Sequence, residues 1–248
     1  MVSNSRAVVT CRAFSSLKRI SFKAPSFFEN FAEGFTVGNP ELQPEVTRSA
    51  EVGADASVGG TAVRVTLFTQ RFKNLVQYDG AAAFGDPNYF NIAAANAGGM
   101  ELEVRLPEVR ATRLSGSYSW TETKVRRAGF DPGASATFVA GGPLLRRPEH
   151  LASLHLTTRL GDAGTIILTA TRVGAREDRD FSAFPAAVVE LPAHLTVDLA
   201  TDLALPAAWF AGGRLLLRAD NVLGTAYQPI HGFDAPGRTL YAGLKLQR

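Results

Sequence analysis

Four histidines and one pair of aspartates are the residues whose types could support hydrolysis or metal binding. The histidines are His150, His155, His194 and His231. No two of them have the i, i+4 spacing that puts two imidazoles on one face of a helix, and no His-Glu-x-x-His motif occurs. Asp198 and Asp202 would share a strand face at about 13 Å, beyond the roughly 5–9.5 Å between the two carboxyls of a glycosidase. We therefore predict no catalytic residue and no metal ligand.

The densest group of charges is the run Arg-Glu-Asp-Arg-Asp at residues 176–180. Its carboxylates offer the oxygen ligands that Ca²⁺ prefers, but the arginines between them repel a cation, so a solvated loop is the favoured interpretation. The sequence lacks a Gly-x-Ser-x-Gly elbow, a P-loop and a Gly-x-Gly-x-x-Gly motif. Its one cysteine, Cys11, excludes a disulfide framework and a cysteine-based zinc site. We expect a protein that is not an enzyme and holds no cofactor.

Aromatic residues between the regular segments are the remaining candidates for binding. Stacking and burial on such rings supply affinity for a large, partly apolar ligand. We predict as ligand-binding residues Tyr89, Phe90, Phe130, Phe181, Phe184, Tyr227 and Phe233. A role in an interfacial aromatic girdle or in loop packing stays open for these residues and is preferred for Tyr78, Tyr118 and Trp120.

Apolar and polar residues alternate with a period of two along most of the chain, which indicates β-strands. The predicted strands are residues 49–58, 61–78, 100–106, 114–120, 150–160, 165–174, 194–203, 214–220 and 240–246, with a tenth near 17–24. Their polar faces carry charges, and we expect His155 and His194 to be polar wall residues there. Such faces suit the outside of a soluble sandwich or the lumen of a transmembrane barrel whose apolar side meets lipid.

The connections between the predicted strands separate these two folds. Residues 25–47, 79–97, 123–149, 175–192 and 221–238 are long connections, residues 59–60, 107–110 and 161–164 are short ones, and 205–213 is intermediate. Outer-membrane barrels have short periplasmic turns and long external loops, whereas Greek-key sandwiches need no such alternation. We therefore predict an all-β fold, an antiparallel up-and-down meander of about nine or ten strands.

The composition excludes several classes of protein. Among 248 residues, 26 Lys and Arg against 23 Asp and Glu give a net charge of +3, too small to indicate nucleic-acid binding. No apolar run reaches the ~18–20 residues of a membrane-spanning helix. Residues 1–20 are basic, rich in serine and free of acids. We expect them to form an atypical leader, disordered or an artefact of the gene start, although their composition also suits a transit peptide.

Three segments carry a family resemblance. Residues 21–53, SFKAPSFFENFAEGFTVGNPELQPEVTRSAEVG, contain F-[KR]-A-P-S, G-N-P-x-L-x-P-E and E-x-G. Residues 143–155, PLLRRPEHLASLH, contain R-x-P-x-H before a strand. Residues 220–246, DNVLGTAYQPIHGFDAPGRTLYAGLKL, contain N-[LV]-[FL]-x-x-x-Y and G-[FY]-x-x-P-G-R before the last strand. In this order the segments resemble TonB-dependent outer-membrane receptors, and among them the cobalamin-receptor-like members.

The resemblance implies that residues 21–248 are the C-terminal segment of a transmembrane β-barrel of about 22 strands, without the N-terminal plug. It implies a bacterial outer-membrane location among lipid, a ligand such as cobalamin or a ferric siderophore, and TonB contact only through the missing plug. We expect the chain not to transport alone. A passive pore or structural β-barrel completed by a partner chain is the alternative, and a soluble β-sheet binding module is disfavoured by the loop lengths.

Overall fold

The computed structural model describes residues 9–79, 82–127, 139–180, 182, 186–206, 208, 210 and 212–246. Its strands are β1 (Val9–Lys23), β2 (Glu45–Val58), β3 (Thr61–Tyr78), β4 (Tyr89–Arg105), β5 (Thr112–Arg127), β6 (His150–Arg159), β7 (Gly164–Val173), β8 (Arg176–Asp180), β9 (Ala187–Leu191), β10 (His194–Ala204), β11 (Arg214–Asp220) and β12 (Thr239–Lys245). One α-helix, α1 (Phe27–Phe31), follows β1, and a single 3-10 turn, Gly161–Ala163, precedes β7.

Ten of these strands form one antiparallel sheet in the order β1-β2-β3-β4-β5-β6-β7-β10-β11-β12. Each strand pairs with its neighbour in the chain, except that the β8-β9 hairpin is inserted between β7 and β10. The two outer strands of the sheet are β1 and β12. The predicted all-β meander is therefore confirmed.

The register of the sheet separates an apolar face from a polar face, as the alternation predicts. One apolar row crosses four strands through Val52, Leu67, Met100 and Trp120. The next residue of each strand lies on the opposite face, where Glu51 is in register with Phe68. Leu67 is 51% exposed and Leu240 is 80% exposed, so this apolar face has to contact another apolar medium or surface.

Several strands are longer than the sequence predicts, β4 and β5 by the most. β4 begins at Tyr89 and β5 continues to Arg127, so parts of the predicted connections 79–97 and 123–149 are strand. The alternation is lost in the alanine-rich run before Gly98, but the backbone there still pairs with β3, from Tyr78↔Tyr89 to Ala62↔Arg105. Backbone pairing needs no alternating side chains, and this explains the difference.

The first described residues belong to the sheet. β1 pairs with β2 from Val9↔Val58 to Lys23↔Glu45, so the predicted boundary after residue 20 does not coincide with the end of a strand. Residues 1–8 lie outside the described residues. A division of the chain into residues 1–20 and 21–248 stays a prediction.

The helix α1 is short and well capped. The Ser26 hydroxyl accepts a hydrogen bond from the Glu29 N–H at 3.2 Å, and the Glu29 carboxylate accepts one from the Ser26 N–H at 2.5 Å. The hydrogen bond from the Ser26 backbone is the main reason that the pKa of Glu29 is lowered. Within the described ranges, no helix combines the length and the apolar composition needed to cross a membrane.

Candidate functional site

A cavity of about 920 Å³ lies over the polar face of strands β2 to β5. Its floor is built from Glu51, Thr66, Phe68, Gln70, Phe72, Ala97, Glu101, Thr121 and Thr123, and β3 adds Leu75, Gln77 and Tyr78 at one end. Its roof is the segment Leu144, Leu145, Arg146 and Arg147 from the connection between β5 and β6. The cavity thus offers carboxylates, amides, hydroxyls and aromatic rings from the strands, and guanidinium groups from the connection between β5 and β6.

Phe68, one of the lining residues, packs closely over a glycine of the neighbouring strand. Phe68 is in register with Gly99 on β4, and a Cβ on Gly99 would come within 2.9 Å of the Phe68 ring and 2.0 Å of the Trp120 carbonyl oxygen. Only a residue without a side chain leaves room for this close approach. Sequence reasoning missed the ring that approaches this glycine.

The roof is held to the sheet by a small apolar core. Phe90, 5% exposed, and Val125, fully buried, pack together, and Leu75 and Leu144 pack against them. The Leu144 N–H donates to Thr123 Oγ1 at 3.0 Å, which fixes the same segment over the floor. The structure therefore places Phe90 under the roof as a packing residue, and its predicted role in ligand binding stays a prediction.

Aromatic rings line the end of the cavity nearest the long connections. Tyr78 lines the cavity and packs edge-on against Tyr89 at 5.3 Å between ring centroids. Phe28 of α1 also packs edge-on against Tyr89, with 6.3 Å between ring centroids. Tyr89 thus joins this cluster at the rim, where a ligand entering from the long-loop side would meet it. The girdle interpretation holds better for Trp120, which lies in the exposed apolar row.

The other predicted aromatics are not gathered at this cavity. Tyr227 stacks on His194 with 4.1 Å between ring centroids and 13° between planes, and Phe233 is 68% exposed. Phe130, Phe181 and Phe184 lie outside the described residues. His155 is a wall residue as predicted, within 3.1 Å of Thr169 Oγ1 on the polar face.

The connections above β1–β2 and β3–β4 are tied together by one asparagine. Asn88 Oδ1 accepts from the Val37 N–H at 2.7 Å, and the Asn88 N–H donates to the Val37 carbonyl at 2.9 Å. The Asn88 amide also donates to the Asp79 carbonyl at 2.9 Å. Asn88 is buried, so these hydrogen bonds fix the two loops as one rim.

Three further segments meet at Asp178, which is fully buried. Asp178 Oδ1 accepts from Arg146 Nε of the roof and from the Arg179 N–H, both at 2.8 Å. Asp178 Oδ2 accepts from the His231 N–H of the connection before β12, also at 2.8 Å. We call this arrangement the Asp178 clamp, because it joins the roof, the β8-β9 hairpin and the last long loop.

The Asp178 clamp has a structural role. Burial alone would raise the pKa of Asp178, but the N–H groups of His231 and Arg179 and the guanidinium of Arg146 outweigh it, so the pKa lies below its usual range. The carboxylate stays ionised and compensates the charge of Arg146. Arg179, 4% exposed, donates through its side chain to the Ala186 carbonyl at 2.9 Å. In the described part of the chain, no group of three or more His, Cys, Asp or Glu residues could hold a metal ion.

The interpretation of residues 176–180 as a solvated loop is therefore wrong. These residues form β8, which pairs with β9 from Arg176↔Leu191 to Asp180↔Ala187. Arg176 is also buried and donates to the Gln228 and Pro229 carbonyls at 2.8 and 3.1 Å. The charges of the run are met from outside it, since Asp178 pairs with Arg146 and the side chains of Arg176 and Arg179 donate to backbone carbonyls.

A sheet with one apolar, exposed face and one polar face under clamped loops is the wall of an outer-membrane type of barrel. A family model described as "TonB dependent receptor-like, beta-barrel" matches residues 14–222. The chain belongs to this family. The resemblance found in the sequence is thereby confirmed, and so is the location in the bacterial outer membrane, where the barrels of this family reside.

The relatives agree with this family. The chain is 25% identical over 228 residues to the vitamin B12 transporter BtuB of Vibrio cholerae, covering 92% of this chain and 33% of that protein. It is 30% identical over 141 residues to the iron-regulated outer membrane virulence protein of Vibrio cholerae, covering 52% of this chain and 20% of that protein. The chain thus spans a third or less of the curated relatives it matches. Neither relative is named as an enzyme, which supports the predicted non-enzymatic role.

Solved structures show the same fold. The ferric-catecholate import receptor Fiu of Escherichia coli K12 superimposes with a TM-score of 0.67 at 15% identity, covering 93% of this chain and 32% of that chain. At this identity the likeness concerns the path of the backbone alone.

Proposed function

We propose that this chain is a ligand-facing part of the barrel wall of an outer-membrane receptor for a large ligand such as cobalamin or a ferric siderophore. The cavity over the polar face carries this proposal. Its volume of about 920 Å³ lies within the roughly 300–1,000 Å³ of small-molecule sites. Family membership and the names of the vitamin B12 transporter and the ferric-catecholate receptor support the ligand class.

The lining of the cavity suits a ligand with both polar and apolar parts. Phe68 and Tyr78 offer ring surface, Glu51 and Glu101 offer acceptors, and Arg147 offers donors. Acceptors and donors in one lining favour a ligand that carries amides or hydroxyls as well as a rigid apolar body. The clamped roof supplies a preformed surface, which reduces the ordering cost of binding.

Binding of cyanocobalamin and of ferric enterobactin to the full chain in nonionic detergent tests this proposal, with quenching of intrinsic fluorescence as the signal. We expect one of the two probes to bind. Phe68→Ala should raise the dissociation constant of that probe about tenfold, as the loss of one stacked ring predicts. Phe22→Ala is the matched control, because Phe22 is 80% exposed on the apolar face of β1. Binding of neither probe, or equal weakening by both variants, would refute the proposal.

We also infer that further strands complete the barrel in the working receptor. Backbone groups along the free edges of β1 and β12 cannot stay unpaired in hydrocarbon. A chain that is transport-competent needs those edges paired, whether by strands of the same polypeptide or by a partner chain. Unheated gel electrophoresis tests whether the edges are paired, because a closed barrel changes its mobility on heating and an open sheet does not.

A further inference from the structure

The apolar face of β2 to β5 ends in a row of exposed basic side chains on the side of the long connections. Arg48 on β2 is in register with Arg71 on β3, and Arg71 with Asn96 on β4, which is in register with Lys124 on β5. Lys73, two residues beyond Arg71, lies on the same face. We refer to four exposed residues as the basic strip: Arg48, Arg71, Lys73 and Lys124.

The basic strip has no carboxylate partners, in contrast to the arginines of the polar face. On that face, arginines pair with carboxylates, as Arg64 does with Asp55 and Arg218 with Asp220, both at 2.6 Å. The same holds for Arg105, Arg113, Arg159 and Arg214. Among the described residues, the ion pairs include no member of the basic strip.

Uncompensated like charges in direct register destabilise a sheet, and Arg48 stands directly opposite Arg71. One acid, Glu122, shares the face, one register row nearer the apolar rows. One carboxylate against four cations leaves an excess of positive charge. An external anion that bridges neighbouring strands would remove the repulsion.

The position of the basic strip relative to the apolar band of the barrel indicates which kind of anion it binds. The apolar rows run along β3 from Val63 to Leu67, and Thr69 lies between them and Arg71. From Val63 to Arg71 the strand advances about 27 Å, or about 19 Å along the barrel axis at a tilt near 45°. The apolar band of such barrels is about 25 Å tall, so the strip stands at its rim, where lipid headgroups lie.

We propose that the basic strip binds the phosphate groups of anionic lipid in the leaflet on the side of the long connections. Guanidinium groups match phosphate oxygens in a bidentate geometry, and the register places Arg48 and Arg71 side by side for this purpose. The lipid acyl chains then cover the apolar rows below, so that one lipid species satisfies both parts of the face. This interaction is independent of the ligand in the cavity.

The experiment uses the full chain in nonionic detergent micelles with Trp209→Phe, which leaves Trp120 as the one tryptophan of the two. Trp120 lies on the same face, four residues before Lys124, and bromine atoms on a lipid acyl chain quench it. The probes are brominated phosphatidic acid and brominated phosphatidylcholine. We expect phosphatidic acid to quench at a mole fraction at least tenfold lower than phosphatidylcholine, and added salt to reduce this preference.

The variant Arg48→Gln/Arg71→Gln/Lys124→Gln is expected to abolish the preference for phosphatidic acid. The control Arg105→Gln/Arg110→Gln/Lys245→Gln removes the same charge at the short-turn end and is expected to keep it. If the first variant fails to fold by circular dichroism, Arg71→Gln alone is expected to lower the preference about threefold. Equal quenching by both lipids, or equal loss in the control, overturns the proposal. Displacement of phosphatidic acid by inorganic phosphate would assign the strip to free phosphate and overturn it as well.

Discussion

Replacing Asp178 by asparagine should release the roof of the cavity from the β8-β9 hairpin. Asn keeps an oxygen for the Arg146 Nε and Arg179 N–H groups, now bound at 2.8 Å. Its NH₂ group, however, replaces the oxygen that accepts from the His231 N–H, so two donors face each other. The charge of Arg146 is also left uncompensated. Because Asp178 is fully buried but the Arg146 side chain is 41% exposed, we expect a cost at the lower end for a buried pair, about 3 kcal/mol.

Hydrogen exchange of the Arg146 backbone amide measures this release. That N–H donates to the Glu177 carbonyl of β8 at 2.8 Å, so its protection reports the docking of the roof, and the substitution does not touch this hydrogen bond directly. A loss of about 3 kcal/mol corresponds to exchange at least 100-fold faster if local opening governs the amide. The same change at Asp162, exposed in the 3-10 turn before β7, is the control and should leave exchange unchanged.

Unchanged protection of the Arg146 amide in Asp178→Asn would refute the reasoning, because the clamp would then contribute nothing to the position of the roof. Equal acceleration by Asp162→Asn would refute it in another way, by showing a general effect of lost negative charge. A second measurement, ligand binding, connects the clamp to function. A released roof should weaken whichever probe binds the cavity, through faster dissociation.

Three further predictions follow from the same contacts. Gly99→Ala should lower the free energy of unfolding in urea by about 1–3 kcal/mol, because its Cβ would overlap the Trp120 carbonyl, whereas Gly237→Ala, which has open space, should not. Because the folded pKa of Asp178 is depressed, its contribution to stability is present above the unfolded pKa of about 3.9. That contribution is lost as the pH falls through the lower folded value, so urea midpoints of wild type and Asp178→Asn should converge below pH of about 3.9. Vesicles containing this chain alone should not accumulate cyanocobalamin against a gradient, and accumulation would refute the inferred need for further strands.

The strands of this fold are largely readable from the sequence. Period-two alternation locates β3 and β11 with the bounds that the structure has, because each strand has one apolar and one polar face. The first part of β4 escapes this reasoning, since its small residues pair through the backbone without alternation. The order of long and short connections then fixes the meander, because neighbours in the chain become neighbours in the sheet.

The candidate site is less readable from the sequence. Asp178 and His231 are 53 residues apart in the sequence. Because of this separation, no local sequence pattern indicates that a carboxylate in a charged run accepts a hydrogen bond from that loop. Phe68 is a weak clue, since it stands on the polar side of an otherwise alternating strand. The aromatics chosen by sequence do include the rim residue Tyr89, but the structure uses Phe90 to pack the roof.

The meander also determines the order in which this wall can be built. Each strand from β2 to β7 pairs with the strand before it in the chain, so the sheet can grow one hairpin at a time at a low cost in loop entropy. β10 must pair with β7 across the whole β8-β9 hairpin, so residues 174–193 have to close into a loop at this step. The Asp178 clamp joins Arg146, which precedes β7 in the chain, to His231, which follows β10. The clamp can therefore form only after β10 has paired with β7, so the roof becomes fixed when most of the sheet has already formed.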